Sequence, residues 1–247
     1  MSREDWWREF FLSGQYRLEE HTDEERTTRE ADFLVTALAL TEGERVLDLC
    51  CGVGRHSNEL ARRGMQVVGV DFTPSYLSRA AEAGTPARFV RGDMRRVPIR
   101  GPFDAIFNVF SSFAYFDSEE QDALVIHEVA RLLSPGGRFL LDVINPFCLA
   151  RRFQSRMWTR MAEDVLLQAN EMDLVGGCTR CEWTFVRGGA RETYTSSIRL
   201  YTVPELQRML NDAGLFVTAL YGNFKCEELS LDTFRQILVA EKRAEGG

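Results

Sequence analysis

Lysine is nearly missing from this chain: it occurs only as Lys225 and Lys242, and arginine supplies the rest of the 30 basic side chains, which are set against 37 acidic ones. The net charge is −7. A surface of that sign lacks the basic stripe that a phosphate backbone needs, so a nucleic-acid partner is disfavoured. The six cysteines (Cys50, Cys51, Cys148, Cys178, Cys181, Cys226) form no secreted disulfide framework. Two of them are adjacent in a tight turn that a bridge would distort. Cys178 and Cys181 make one C-x-x-C with no second pair at zinc-ribbon spacing, so no metal site is expected. No signal-peptide pattern, apolar run of membrane-spanning length, internal repeat or low-complexity segment is present, and a cytoplasmic protein with no membrane partner is the expectation. What is abundant is hydrophobic sequence, 45% of 247 residues, enough for one large domain or a domain carrying an inserted subdomain.

The chain is organised around Val46–Ser57, VLDLCCGVGRHS. Val46 to Leu49 reads as a buried strand interrupted by one acid, Asp48. Cys50 to Gly54 is a turn of small residues, and a helical pattern runs from Arg55 to Gly64. A strand, a glycine turn and a helix make the first half of a nucleotide-binding unit, because glycine admits a ligand close to the backbone and the helix N-terminus presents free N–H groups. A dinucleotide fingerprint requires G-x-G-x-x-G. Here Gly52 and Gly54 are followed by Ser57, and Asp48 would repel a pyrophosphate. A cationic amino-acid moiety would tolerate that acid. Asp71 ends the next strand, Gln66–Asp71, at a spacing that suits a ribose hydroxyl. A plain tight turn is the alternative for the two glycines.

These residues resemble the D-x-G-x-G-x-G motif of class I S-adenosylmethionine-dependent methyltransferases, with Cys50 in place of the first glycine. The resemblance runs from about Arg26 to the C-terminus. It implies an α/β fold: a doubly wound, seven-stranded, mostly parallel sheet of Rossmann-like type, with S-adenosyl-L-methionine as cofactor. The run RTTREADFL is similar to a segment of glycine N-methyltransferase and related enzymes, in which the leading arginine pairs with the cofactor's carboxylate. That implicates Arg26, although a surface charge is the alternative. The resemblance assigns Asp71 to the ribose, Phe72 to stacking on adenine (or else to the core), and Asp93 and Met94 to the adenine edge. Read without it, Asp93 is only a turn acid. NVFSSFAYF, Asn108 to Phe116, resembles another segment of the same group. It implies that Asn108 and Phe110 face the methionine part and Tyr115 the acceptor, an aromatic core turn being the alternative. Nucleic-acid amino methyltransferases carry [DN]-P-P-[YF] at that place, which Asn108-Val109-Phe110-Ser111 does not match.

The remaining pattern fills in the fold. Helices are expected over 26–40, from Pro74, over 119–133 and over 205–213, and strands over 87–90, 103–108, 138–143, 216–221 and 234–241. Ser134-Pro135-Gly136-Gly137 reads as the turn that ends the third of those helices. Residues 147–200 are too long for a connection, and alternation over 165–174, 183–186 and 193–200 predicts an antiparallel β insertion forming a lid over the acceptor site. Trp6, Trp7, Phe10 and Phe11 fall on one helical face, and residues 1–25 read as a second lid segment docking on the main domain, 26–146 plus 201–247. Candidate acceptor-side residues are Tyr16, Tyr115, Asn145, which closes a strand at the ligand edge, and Arg199, in an R-x-Y-x-x-x-E junction like that of amino-sugar N-methyltransferases.

Methyl transfer needs chiefly that nucleophile, methyl and sulfur be held in line. A neutral amine needs no base, whereas a hydroxyl does. None of His21, His56, His127, Tyr16, Tyr115 or Tyr194 has neighbours that single it out, so no catalytic base is named. The expected activity is methyl transfer to a small molecule, with nitrogen favoured over oxygen. A non-catalytic cofactor-binding scaffold is the rival reading, and a nicotinamide oxidoreductase fails on Asp48 and Ser57.

Overall fold

The computed structural model of the protein describes residues 6–14, 16, 23–161 and 164–243. Of the expected 1–25 segment, residues 1–5, 15 and 17–22, His21 among them, lie outside the described ones. The central sheet has seven strands: β1 (Arg45–Leu49), β2 (Gln66–Asp71), β3 (Arg88–Arg91), β4 (Phe103–Asn108), β5 (Leu133–Ile144), β10 (Leu215–Tyr221) and β11 (Arg235–Lys242). Their order is β10-β11-β5-β4-β1-β2-β3, all parallel except that β11 runs antiparallel to both of its neighbours. This is the doubly wound sheet that the sequence implied.

Strand alternation sorts the apolar side chains into two cores. Val46, Ala105, Phe107, Leu140, Ile237 and Val239 pack on one face with Phe33 and Leu34 of α2 (Glu24–Ala37) and Leu60 of α3 (Arg55–Arg62). Leu47, Ile106, Phe139, Leu141 and Leu238 pack on the other with Val125 and Ile126 of α5 (Glu119–Leu132) and Leu206 of α7 (Val203–Asp212). Each fully buried leucine or isoleucine contributes roughly 1.5–3 kcal/mol, which makes the sheet centre the rigid platform for what lies at its edge. Helix starts are fixed by side-chain caps: Asp23 accepts from the Arg26 N–H at 2.6 Å, and Ser118 and Thr202 cap α5 and α7, the latter in a capping box with Glu205.

A second sheet, β6 (Arg156–Met161), β7 (Asp164–Asp173), β8 (Cys178–Arg187) and β9 (Ala190–Arg199), is antiparallel throughout. Helix α1 (Trp6–Leu12) packs on β9. Two elements escape the sequence pattern, α6 (Pro146–Arg151) and β6. Strand β6 is an edge strand with Trp158 71% exposed, so it lacks the inward-outward alternation that marks a half-buried strand. The expected turn at Ser134–Gly137 is absorbed into β5, which starts at Leu133 paired with Phe103 and passes through a register shift before Arg138. The helix α2 begins two residues before Arg26, so that arginine sits within its first turn.

Candidate active site

Strand β1 has β4 on one side and β2 on the other, and the crevice where the strand order reverses opens beyond the carboxyl ends of these strands. A cavity of about 400 Å³ fills it. Its floor is the turn after β1. Cys50 has φ +66°, Gly52 +55° and Gly54 +70°, so the residue standing in for the first glycine adopts the left-handed conformation that glycine favours. Gly52 and Cys50 line the cavity and Gly54 does not. At Gly54, which starts α3, a Cβ would come within 2.7–2.8 Å of Ala80 and Phe89, so its role is close packing of the turn.

Asp48 is 1% exposed and accepts from Ser57 Oγ at 2.6 Å. Burial pushes its carboxyl up to about 7, against the Ser57 hydrogen bond and the Arg55 charge. Ser57, which breaks the dinucleotide fingerprint, is thus the partner that the strand acid requires. On the β2/β3 side, Asp71 accepts from the N–H groups of Gly52 at 2.9 Å and Thr73 at 2.8 Å, which leaves lone pairs for a ligand. Asp93 is gripped by Arg95 through Nε and Nη2, and Met94 Sδ lies 3.5 Å from Cys50 Sγ. Phe72 packs edge-on against Trp7, with ring centres 4.8 Å apart.

The β4/β5 side is cationic. Phe110, at φ +62°, is stacked between His56 and Phe224 at 5.7 and 5.3 Å. Three guanidinium groups surround its ring, those of Arg55 at 4.7 Å, Arg26 at 5.6 Å and Arg235 at 5.7 Å. Two acids hold them. Glu30 bonds Arg26 Nε at 2.8 Å, His56 Nε2 at 3.0 Å and Arg55 Nη1. Asp142, fully buried, takes Arg235 in a bidentate pair at 2.6 Å and accepts from the Phe110 N–H at 2.7 Å. Burial opposes ionisation of Glu30, but the bonds from His56 and Arg26 and the Arg55 charge outweigh it and bring the carboxyl down to about 2. Burial also lowers His56, to about 4, so its ring is neutral.

Of the residues singled out in the sequence, Arg26, Asp48, Cys50, Gly52, Asp71, Phe72, Asp93, Met94, Phe110, Tyr16 and Tyr115 meet at this one cavity. Asn108 lies behind the wall, fully buried, with Nδ2 donating to the Leu49 carbonyl at 2.9 Å, where it ties β4 to β1. Two acceptor-side expectations are corrected. Asn145 is turned away from the cavity: its Oδ1 caps α6 at the Phe147 and Cys148 N–H groups, and its Nδ2 donates to the Ser230 and Thr233 carbonyls. Arg199 donates to the Gly176 carbonyl at 2.6 Å and pairs with Glu205, outside the wall. Residues that the sequence did not single out as site members are Glu30, Arg55, Asp142, Arg235, Ser111, Trp183, Ser196 and Ile198. Only Glu30 carried a readable signal, four residues after Arg26 on one helix face.

Two polar atoms in the wall, Trp7 Nε1 and Ser111 Oγ, are buried without a hydrogen-bond partner. Unsatisfied groups of this kind cost about 1–3 kcal/mol each. Among the described residues no cluster of three or more His, Cys, Asp or Glu is placed to hold a metal, and no helix is long and apolar enough to cross a membrane.

The methyltransferase-domain family matches residues 46–137, the segment that builds the floor and the β2, β3 and β4 edges. The cypemycin N-terminal methyltransferase of a Streptomyces species is 27% identical over 213 residues, 82% of this chain and 84% of that protein. The dTDP-3-amino-3,4,6-trideoxy-alpha-D-glucopyranose N,N-dimethyltransferase of Streptomyces venezuelae is 25% identical over 190 residues, 73% of this chain and 79% of that one. The CcbJ methyltransferase of Streptomyces caelestis superposes with a TM-score of 0.82 at 20% identity, over 99% of this chain and all of that one. The chain is a class I S-adenosylmethionine-dependent methyltransferase.

Proposed function

We propose that the enzyme methylates a nitrogen atom of a small molecule. The observation that carries the cofactor assignment is the polarity of the cavity, with cations grouped at the β4/β5 side and carboxylates at the β2/β3 side. S-adenosylmethionine has the complementary polarity, a carboxylate at one end and hydroxyl and amine donors at the other. When bound, it supplies an electrophilic methyl group on a sulfonium. Arg26 and Arg55 bind its carboxylate, and Arg235 supports Phe110 beside them. Asp71 takes the ribose hydroxyls, Phe72, Asp93 and Met94 take the adenine, and the backbone at Cys50 and Gly52 permits close approach. Asn108 acts from behind by fixing the β1–β4 crevice.

Nitrogen is favoured because among the described residues no base faces the acceptor. His56 is neutral only because it is buried, and its Nε2 is bonded to Glu30. The phenols of Tyr115 and Tyr16 are pushed up by burial and stay protonated. His127 is exposed on α5. An amine that arrives neutral needs no proton acceptor in the transition state. The names of two relatives support this reading, an N-terminal methyltransferase and an amino-sugar N,N-dimethyltransferase, although other relatives are O-methyltransferases by name.

Titration calorimetry with S-adenosylhomocysteine tests the cofactor assignment. Micromolar binding is expected, with Arg55→Ala weakening it at least tenfold. No binding to folded protein would overturn the assignment. Release of S-adenosylhomocysteine with amines but not with matched alcohols tests the choice of nitrogen, and the reverse preference would refute it.

A further inference from the structure

The wall facing away from the sheet edge comes from the N-terminal helix and the inserted sheet, and among the described residues it carries no charge. The four aromatic side chains of the first helix, Trp6, Trp7, Phe10 and Phe11, form one side, and Trp183, Ser196 and Ile198 of β8 and β9 form the other. The aromatic rings are locked to one another and to Tyr115. Trp6 lies 5.0 Å from Tyr115, Phe11 stacks on Tyr115 at 5.9 Å and 21°, and Phe10 lies 5.5 Å from Trp183. Two of the three indole N–H groups are already used, that of Trp6 on the Tyr115 carbonyl and that of Trp183 on Ser196 Oγ, and the third, on Trp7, is buried without a partner. Every charged side chain lining the cavity (Arg26, Asp48, Arg55, Asp71, Asp93, Arg235) stands instead on the Rossmann-like part of the chain, and each is bonded to a neighbour there. Arg8 of the same helix lies across the rings of Trp7 and Phe72 at 4.7 and 5.2 Å and is absent from the lining.

Resting on the assignment of this cavity to methyl transfer, we propose that the acceptor is an amine whose enclosed part presents a flat aromatic or alicyclic face and bears no carboxylate or phosphate. An enclosed anion would meet mainly π faces, whose negative quadrupole repels it, and among the described residues no cation of the wall. The same faces attract a cation. The reaction produces one: the nitrogen lone pair forms the new C–N bond, the S–C pair returns to sulfur, and the positive charge moves from sulfur to nitrogen until the product ammonium loses a proton to water. Ser111 Oγ, buried and without a partner in the wall, is the polar atom that an acceptor N–H finds. Free amino acids and the diphosphate part of a sugar nucleotide do not fit such a chamber.

The test is binding of matched pairs to protein saturated with S-adenosylhomocysteine, using aniline, N-methylaniline and tetrahydroisoquinoline against their carboxylated counterparts, read by ligand-detected NMR. The uncharged-face member of each pair is expected to bind at least tenfold more tightly. Ile198→Lys, on a half-buried strand position, is expected to narrow or reverse that ratio without changing affinity for S-adenosylhomocysteine. Equal or tighter binding of the carboxylated members would overturn the proposal, as would the absence of millimolar binding by every uncharged-face amine. Either result, in protein that still binds S-adenosylhomocysteine, leaves the methyl-transfer assignment standing. Failure to bind S-adenosylhomocysteine strikes that assignment instead.

Discussion

Replacing Glu30 by glutamine removes the anion that holds the cationic end of the site together. Glu30 is 4% exposed and bonds Arg26, Arg55 and His56 at once. Arg26, whose side chain is 43% exposed, can turn to water when its partner goes. Arg55 is only 17% exposed and would leave a stranded charge beside Phe110. Breaking a buried pair from one side costs about 3–5 kcal/mol. The drop of the Glu30 carboxyl from its usual 4.5 to about 2 gives a second route to the same quantity, roughly 3 kcal/mol at 1.36 kcal/mol per pH unit. The lower end of the range is therefore expected, and for a chain of this size that is a melting-temperature fall of roughly 6–12 °C. The sign with pH follows from linkage. A depressed carboxyl contributes stability that is complete above its unfolded value and is lost as pH falls through its folded value. The gap between native chain and variant should thus be full at pH 7 and shrink to roughly 2 kcal/mol by pH 3.5. Urea unfolding of both proteins across that range measures it. A loss below about 1 kcal/mol at pH 7, or a gap that widens in acid, would refute the role given to Glu30.

Asp71→Asn keeps the shape of the side chain but removes the charged acceptor, and is expected to weaken S-adenosylhomocysteine binding by about 1–3 kcal/mol in calorimetry; unchanged affinity would remove Asp71 from the site. At Gly69 a Cβ would lie 2.8 Å from Cys51 Sγ and from the Phe89 ring, so Gly69→Ala should cost about 1–3 kcal/mol in urea unfolding through overpacking. Asp122 is fully buried, and burial pushes its carboxyl up to about 7 against the bond from Tyr201. Stability is lost as pH rises from about 4 through 7, so Asp122→Asn should match or exceed the native chain above pH 7 and lose that advantage below pH 5. If, as among the described residues, no base lines the aromatic wall, the pH at which kcat/KM levels off should follow the pKa of the amine used; two amines of different basicity sharing one inflection would point to an enzyme base.

The charged half of the cavity was legible because its signals are local. A strand acid, a glycine turn and the acid ending the next strand fall within 24 residues, from Asp48 to Asp71, and Arg26 stands on a patterned helix. Missing from that reading were partners distant in the chain. Arg235 and Asp142 are 93 residues apart, and nothing in either neighbourhood announces the other. Ser57 was read only as a failed glycine, when its hydroxyl is what makes a buried Asp48 tolerable. Asn145 shows a signal that was present and misread: Asn-Pro after a strand is an N-cap followed by a first-turn proline, and the side chain is spent on that cap. Arg199 failed for a different reason. A strand end next to a site does not fix which way a long side chain turns, and a carbonyl at Gly176 wins it.

The split between a charged half on the parallel sheet and an uncharged half on inserted elements has a chemical reason. Methyl transfer moves one positive charge by little more than two bond lengths and neither makes nor consumes an acid at the enzyme. Fixed ionic groups beside the acceptor would therefore add little, while desolvating them inside a closed cavity would cost several kcal/mol each. Charges are useful where the ligand itself carries them, at the cofactor's ends, and there each one is paired within the protein before any ligand arrives. In the other half of the cavity, rings that interlock at 5–6 Å give a wall that favours a cation without a buried counter-ion. What remains for the protein to supply is alignment, which can lower a barrier by about 7–11 kcal/mol. Alignment depends on rigidity, and it is the largely buried β1 and β4, tied at their ends by Asn108, that hold the crevice rigid.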